Sequence, residues 1–128
     1  MSSEEYNRIS GLVLDASIAV HKELGQGLME SIYELCLIKE LLNRNLKVNS
    51  QVRIPLMYKG EIISKEFIID LLVEDKVIIE VKAIEVLLPV HEAQIISYLK
   101  LADKRLGLLI NFKVDILKKG FRRFVNNF

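Results

Sequence analysis
The 128-residue sequence predicts an α/β fold with the order α-α-β-β-β-α-β and a mixed sheet flanked by helices. Three observations predict it. Two stretches between Ser2 and Leu46 repeat their apolar residues with the helical period. Three runs between Val52 and Ala83 are rich in β-branched and aromatic residues and are separated by short polar breaks. A further helical stretch then leads into Leu106–Phe112, a continuous apolar run of the kind found in strands buried on both faces.

Helix one begins where Ser2 and Glu5 have the spacing of a capping box. Its apolar residues recur at Tyr6, Ile9, Leu12, Val13, Ala16, Ala19, Val20 and Leu24, and Gly25 and Gly27 end it. Helix two is expected from about Leu28 to Leu46. It has one apolar stripe at Leu28, Ile32, Leu35, Leu42 and Leu46, and a second row at Glu30, Tyr33, Glu34, Leu37 and Leu41. The second row becomes apolar at its far end, so the row bearing Glu30 should face protein. Val52, Ile54, Leu56 and Tyr58 alternate as a strand, and Pro55 assigns it to an edge or an irregularity. After the Lys59-Gly60 turn, residues 62–73 form the second strand and Val77–Ala83 the third. Pro89 suits the first position of a helix running to about Ala102, with Ile95, Ile96 and Leu99 on its buried side. Residues 121–126 offer a short final strand. The first three strands can meander antiparallel, and the helix from Pro89 then acts as a crossover that returns the chain parallel to the third strand.

Length and composition fit one domain over residues 1–128: 51% of residues are hydrophobic and 27% charged, which supports a core without staples. Disorder and low-complexity repeats are excluded. The single cysteine, Cys36, excludes an internal disulfide and a Cys-rich zinc site, and its apolar surroundings make it a small core residue. No apolar run approaches a membrane span, and Met-Ser-Ser-Glu-Glu is no signal peptide, so a cytoplasmic location is expected. From Lys113 onward, five basic residues against Asp115 carry +4, leaving −3 on the rest of a chain whose net charge is +1. Such a segment can track phosphates or simply form a solvated edge. A mean hydropathy of +0.26 is high for a small monomer and is compatible with a homodimer or a partner protein.

The segment that bears on chemistry is Phe67-Ile-Ile-Asp70 through Glu80-Val-Lys82. If the second and third strands form a hairpin centred on Asp75, Asp70 lies opposite Glu80, with Cβ atoms about 5 Å apart. Two carboxylates so placed among Ile68, Leu72 and Ile78 repel unless a cation or a shared proton compensates. Lys82, two residues beyond Glu80, points to the same face but supplies a single charge. Hard oxygens at this separation suit Mg²⁺ or Mn²⁺, with the Val81 carbonyl available as a third ligand. Glu-Val-Lys alone is a common tripeptide, and a charge pair on an edge strand would also produce it. The apolar residues bordering both acids favour a site over a solvated face. His91, Gln94 and Tyr98 share one face of the following helix, with Gln94 and Tyr98 either ordinary surface polarity or groups that orient a phosphate or nucleotide. Glu30 is either a first-turn glutamate favoured by the helix dipole or part of the same site. His21 reads as a helix-end residue.

Gly27-Leu-Met-Glu30-Ser-Ile-Tyr33 resembles the signature of the GxxExxY protein family, within the PD-(D/E)XK nuclease superfamily. That superfamily has an α-β-β-β-α-β, restriction-endonuclease-like core. Asp70 with Glu80-Val-Lys82 resembles its catalytic motif, and Gln94-Ile-Ile-Ser-Tyr98 resembles the Gln-x-x-x-Tyr motif of its RecB-type nucleases. The resemblance implies a metal held by Asp70, Glu80 and the Val81 carbonyl. It implies that Lys82 orients the attacking water and stabilises the transition state, and that Glu30 serves as an additional helical acid for a second metal or a metal-bound water. Gln94 and Tyr98 would position the substrate backbone. One departure is Lys113, which follows Asn111-Phe112 where a glycine is expected. The implied function is a Mg²⁺- or Mn²⁺-dependent nuclease acting on DNA, in repair or processing. The alternative is an inactive nucleic-acid-binding or regulatory module on the same scaffold.

Overall fold
The computed structural model describes residues 2–127. Among them are helices α1 (Ser3–Leu24), α2 (Glu30–Asn43) and α3 (Pro89–Leu101), and strands β1 (Val48–Tyr58), β2 (Glu61–Val73), β3 (Val77–Lys82), β4 (Leu106–Asn111) and β5 (Phe121–Val125). A single 3-10 turn, Leu117–Gly120, precedes β5. The five strands form one mixed sheet in the order β1-β2-β3-β4-β5. β1–β2, β2–β3 and β4–β5 pair antiparallel, while β3–β4 is parallel across the α3 crossover. This is the α/β fold the sequence predicts, with the offered final strand present as β5.

The helices cover the two faces of the sheet. Tyr6, Ile9, Val13, Ala16 and Val20 of α1 and Tyr33, Leu37 and Leu41 of α2 pack with Leu71, Val73, Ile79, Leu108 and Ile110 on one face. Ile95 and Leu99 of α3 pack with Ile69, Leu72, Ile78 and Leu109 on the other. α3 lies close because Gly107 has no side chain: a Cβ there would meet Ile95 Cδ1 at 3.0 Å. Ile96, expected on the buried side, is instead 37% exposed, since it lies at the margin of the helix face that Ile95 and Leu99 turn to the sheet.

The boundaries of α2 differ from expectation at both ends. It starts at Glu30 rather than Leu28, because Met29 is extended and the Leu28 N–H donates to the Tyr33 hydroxyl. It ends at Asn43 rather than Leu46. Asn45 turns left-handed, with φ of 61°, its N–H donates to Leu42 O, and the Leu46 N–H donates back to Leu41 O. These are the bonds of a Schellman stop, with Leu46 folded onto the core. The row bearing Glu30 faces protein, as expected. Of the other stripe, Leu46 is buried, but Leu35 and Leu42 are 68% and 53% exposed.

β1 is an edge strand with a register irregularity between Pro55 and Met57, as its proline required. β2 pairs with β3 only at Leu71↔Ile79, Leu72↔Ile78 and Val73↔Val77, a register centred on Asp75. The rest of the β1–β2 hairpin extends past β3 as an arm closed by Lys59 and Gly60, both left-handed.

Candidate active site
The β2–β3 ladder stops one residue short of the two acids. Beyond Leu71↔Ile79, main-chain pairing gives way to side chains. The Asp70 N–H donates to Glu80 Oε2 at 2.9 Å, and the Val81 N–H donates to Asp70 Oδ2 at 2.9 Å. Each carboxylate therefore occupies the place of a missing strand carbonyl. Asp70 has also lost its partner on the other side. Ser50↔Leu71 and Val52↔Ile69 are paired, but Gln51 and Asp70 between them are not. The pleat reverses at this point. Leu71 packs on the α1–α2 face, yet Ile69, two residues earlier, packs on the α3 face. On β1, Val48 and Val52 are divided in the same way across Gln51.

The electrostatics follow from burial without a matching cation. Glu80 is 4% exposed, and burial, then the charge of Asp70, pushes its pKa up to about 8. The bond from the Asp70 amide and the field of Lys82 oppose that rise. Burial also raises Asp70, partly offset by the Val81 amide and by Lys82. Lys82 acts through its field, and no ion pair joins it to either acid among the described residues. Val81 directs its N–H at Asp70, and in an extended strand the carbonyl of the same residue leaves toward the same edge. The Lys82 carbonyl, on the opposite edge, accepts from the Phe112 N–H at 2.9 Å.

Two acids of α2 approach from the helical layer. Glu30, the first residue of the helix, accepts from the Ala83 N–H, just past β3, at 3.4 Å. Tyr33 sets this geometry. Its hydroxyl donates to Gly25 O at 2.7 Å and its ring stacks on Phe112 at 4.6 Å, which fixes the loop that launches Glu30. Glu34, one turn on, was not expected at the site. Burial raises its pKa most, with Asp70 and Glu30 adding to the effect, and it contributes in turn to the rise at Glu80. Its spacing of four from Glu30 was the available signal. Gln51 was also missed: its Nε2 donates to Glu34 Oε1 at 2.7 Å, and its amide lowers the pKa of Asp70. Nothing in the local sequence marks it.

On α3, Tyr98 stacks on Phe67 with ring centroids 4.8 Å apart. Burial raises its hydroxyl pKa, with Glu80 and Asp70 contributing, so the phenol lies within the field of the acids. Gln94 is exposed. His91 accepts from the Leu88 N–H through Nδ1 at 2.9 Å and so serves as a cap of α3. His21 bonds Val114 O at 2.8 Å, in keeping with a helix-end role. Where a glycine was expected, Lys113 pairs with Glu85 at 2.7 Å. Buried Asn111 bonds both the N–H and the carbonyl of Ile84 and so ties the β3–α3 loop to β4.

The donors are hard carboxylate oxygens plus a main-chain carbonyl, the set that suits Mg²⁺ or Mn²⁺. Two largely buried carboxyls without an ion-pair partner among the described residues, one of which keeps its proton up to about pH 8, fit an ion that takes that proton's place. Among the described residues, no three acid, histidine or cysteine side chains converge as a ready-made metal cage. Main-chain groups or water would therefore complete the coordination, as is usual for Mg²⁺. Two concavities lie elsewhere, one beside Ser3, Asp75 and Arg105 and one beside His21 and Leu117.

A mixed α/β sheet that splays apart at paired acids, with a lysine two residues on, defines a nuclease-type domain. A family model of the PD-(D/E)XK nuclease superfamily matches residues 7–124, and the chain belongs to that superfamily. Its members generally use divalent metal ions and act on nucleic acid. No curated protein and no solved structure matches the chain. Among the described residues, no helix is long and apolar enough to cross a membrane.

Proposed function
We propose that the chain is a Mg²⁺- or Mn²⁺-dependent nuclease of the GxxExxY group that hydrolyses DNA phosphodiester bonds. One observation carries this reading: Glu80 is almost fully buried against Asp70, its pKa is lifted to about 8, and among the described residues no ion pair joins a cation to either acid. An arrangement so unfavourable in isolation makes physical sense as half of a cation site.

Asp70, Glu80 and the Val81 carbonyl would hold the ion, and Glu30 would bind a second ion or an associated water. The bound metal supplies charge neutralisation and a water of lowered pKa. Lys82 presents an ammonium beside both acids, where it orients the attacking water and offsets charge developing on the phosphoryl oxygens. Tyr98, held by its stack on Phe67, and Gln94, open to solvent on the same helix, position the substrate backbone. The acids lie outside both concavities, which suits an extended polymer, and the basic segment from Lys113 onward supplies phosphate attraction. The exposed Leu35 and Leu42 support self-association or a protein partner, which light scattering over a range of concentrations tests.

The test is cleavage of single- and double-stranded DNA with Mg²⁺ or Mn²⁺, comparing wild type with Asp70→Ala and Lys82→Ala. Cleavage by wild type alone is expected. Equal residual activity in all three would mark a contaminant and overturn the reading. A second reading, a nucleic-acid-binding module without turnover, is favoured by the amide bonds that already occupy one oxygen of each acid. Salt-dependent DNA binding without wild-type cleavage would establish it.

A further inference from the structure
Gln51 departs from strand geometry where no turn requires it. Its φ is +51° inside β1, in the left-handed region that side chains of its size rarely adopt. The pairs on either side of it are kept, so the distortion is confined to the one position opposite Asp70. It directs the side-chain amide at the helical layer, where Nε2 donates to Glu34 Oε1 at 2.7 Å. The same amide acts on the Asp70 carboxylate.

The Gln51–Glu34 bond is exposed, and exposed polar pairs add little to stability. A strained residue that gains so little stability in return points to the site it serves. An amide is also the right group for this place. Its NH₂ can donate to two carboxylates and hold them near each other without neutralising them. A lysine would hold them too, but would cancel the charge that a divalent ion needs.

We propose that Gln51 is a positioning residue: its amide bridges Glu34 of α2 and Asp70 of β2, and so sets the helical acids in register with the strand acids. This inference rests on the reading of the acids as a divalent-metal site.

The test uses Gln51→Asn and Gln51→Gly. Both residues accept a left-handed backbone, so both variants should fold; the first keeps an amide that is too short to span, and the second removes it. Metal-free wild type and variants are titrated with Mn²⁺ by calorimetry, and their metal-free Tm values are compared. The Mn²⁺ Kd should weaken by about 10–100-fold in both variants, with Tm unchanged or raised. A Kd within about twofold of wild type in both would overturn the role of Gln51 alone. A fall in Tm with an unchanged Kd would show a purely structural role and also overturn it. Absence of Mn²⁺ binding by wild type would overturn the metal-site reading itself, and this inference with it.

Discussion

The Asp70 amide donates to the Glu80 carboxylate at 2.9 Å, so the residue that most burdens Glu80 with its charge also holds it in place with its backbone. The pair is fixed geometrically and opposed electrostatically. Its energetics should therefore respond strongly to protons and cations.

The folded chain raises the Glu80 pKa from 4.5 to about 8, so the folded state binds its proton more tightly than the unfolded state. This contribution is fully present below the unfolded value and is lost as pH rises through about 8. Asp70 and Glu34, also raised, act with the same sign. Metal-free stability should fall across this window by up to about 1.4 kcal/mol per pH unit for a single group. Glu80→Gln should flatten the profile and raise Tm at pH 8. Thermal melts of both proteins from pH 4.5 to 8.5 check this.

A divalent ion must displace the same proton. Mn²⁺ affinity should therefore strengthen as pH rises toward about 8, with proton release on binding below that value. Calorimetry in buffers of different ionisation enthalpy reads the proton count directly. Removing the metal with a chelator should restore the pH-sensitive melting of the metal-free protein.

Lys82 lowers the pKa of both acids without contacting either. Lys82→Met keeps the aliphatic stem and deletes the charge. The variant should fold, and single-turnover cleavage should drop by about 10²–10³-fold, the scale for losing one preorganised electrostatic group.

Tyr98 combines a stack on Phe67 with a hydroxyl near the acids, and two substitutions separate these roles. Tyr98→Phe should keep Tm and raise the KM for DNA. Tyr98→Ala should also lose about 1 kcal/mol of stability with the stack. Denaturant melts together with steady-state kinetics distinguish them.

Asn111 is 2% exposed and bonds Ile84 on both its N–H and its carbonyl. Asn111→Leu strands those main-chain groups, so unfolding free energy should fall by about 2–3 kcal/mol in urea titrations.

The parts of this fold that were legible in the sequence depend on local period and turn chemistry. Val77 to Ile79 could be set against Leu71 to Val73 because Glu74-Asp75-Lys76 is a short polar break between apolar runs, and Asp70 then fell opposite Glu80. The Tyr33 motif was legible, but its physical content, a hydroxyl pinned to Gly25 and a ring on Phe112, depends on residues far along the chain. Leu28 and Met29 read as helix because they are apolar, and only the tertiary bond to Tyr33 shows them outside it. Gln51 was hidden for a deeper reason. A left-handed residue and a reversed pleat leave the strand's alternation intact on either side, so the sequence pattern records no break.

Each strand in the sheet lies beside its neighbour in the chain, and the β2–β3 hairpin closes over Glu74-Asp75-Lys76, a loop just one residue longer than that of the β1–β2 hairpin. Short loops close at the least entropic cost, so this hairpin can assemble early, before the helical layers are in place. The repulsion between Asp70 and Glu80 then enters on the way to the transition state rather than after it. Raising the pH should slow folding more than it speeds unfolding, so the left arm of the chevron records the charge conflict that the finished molecule contains.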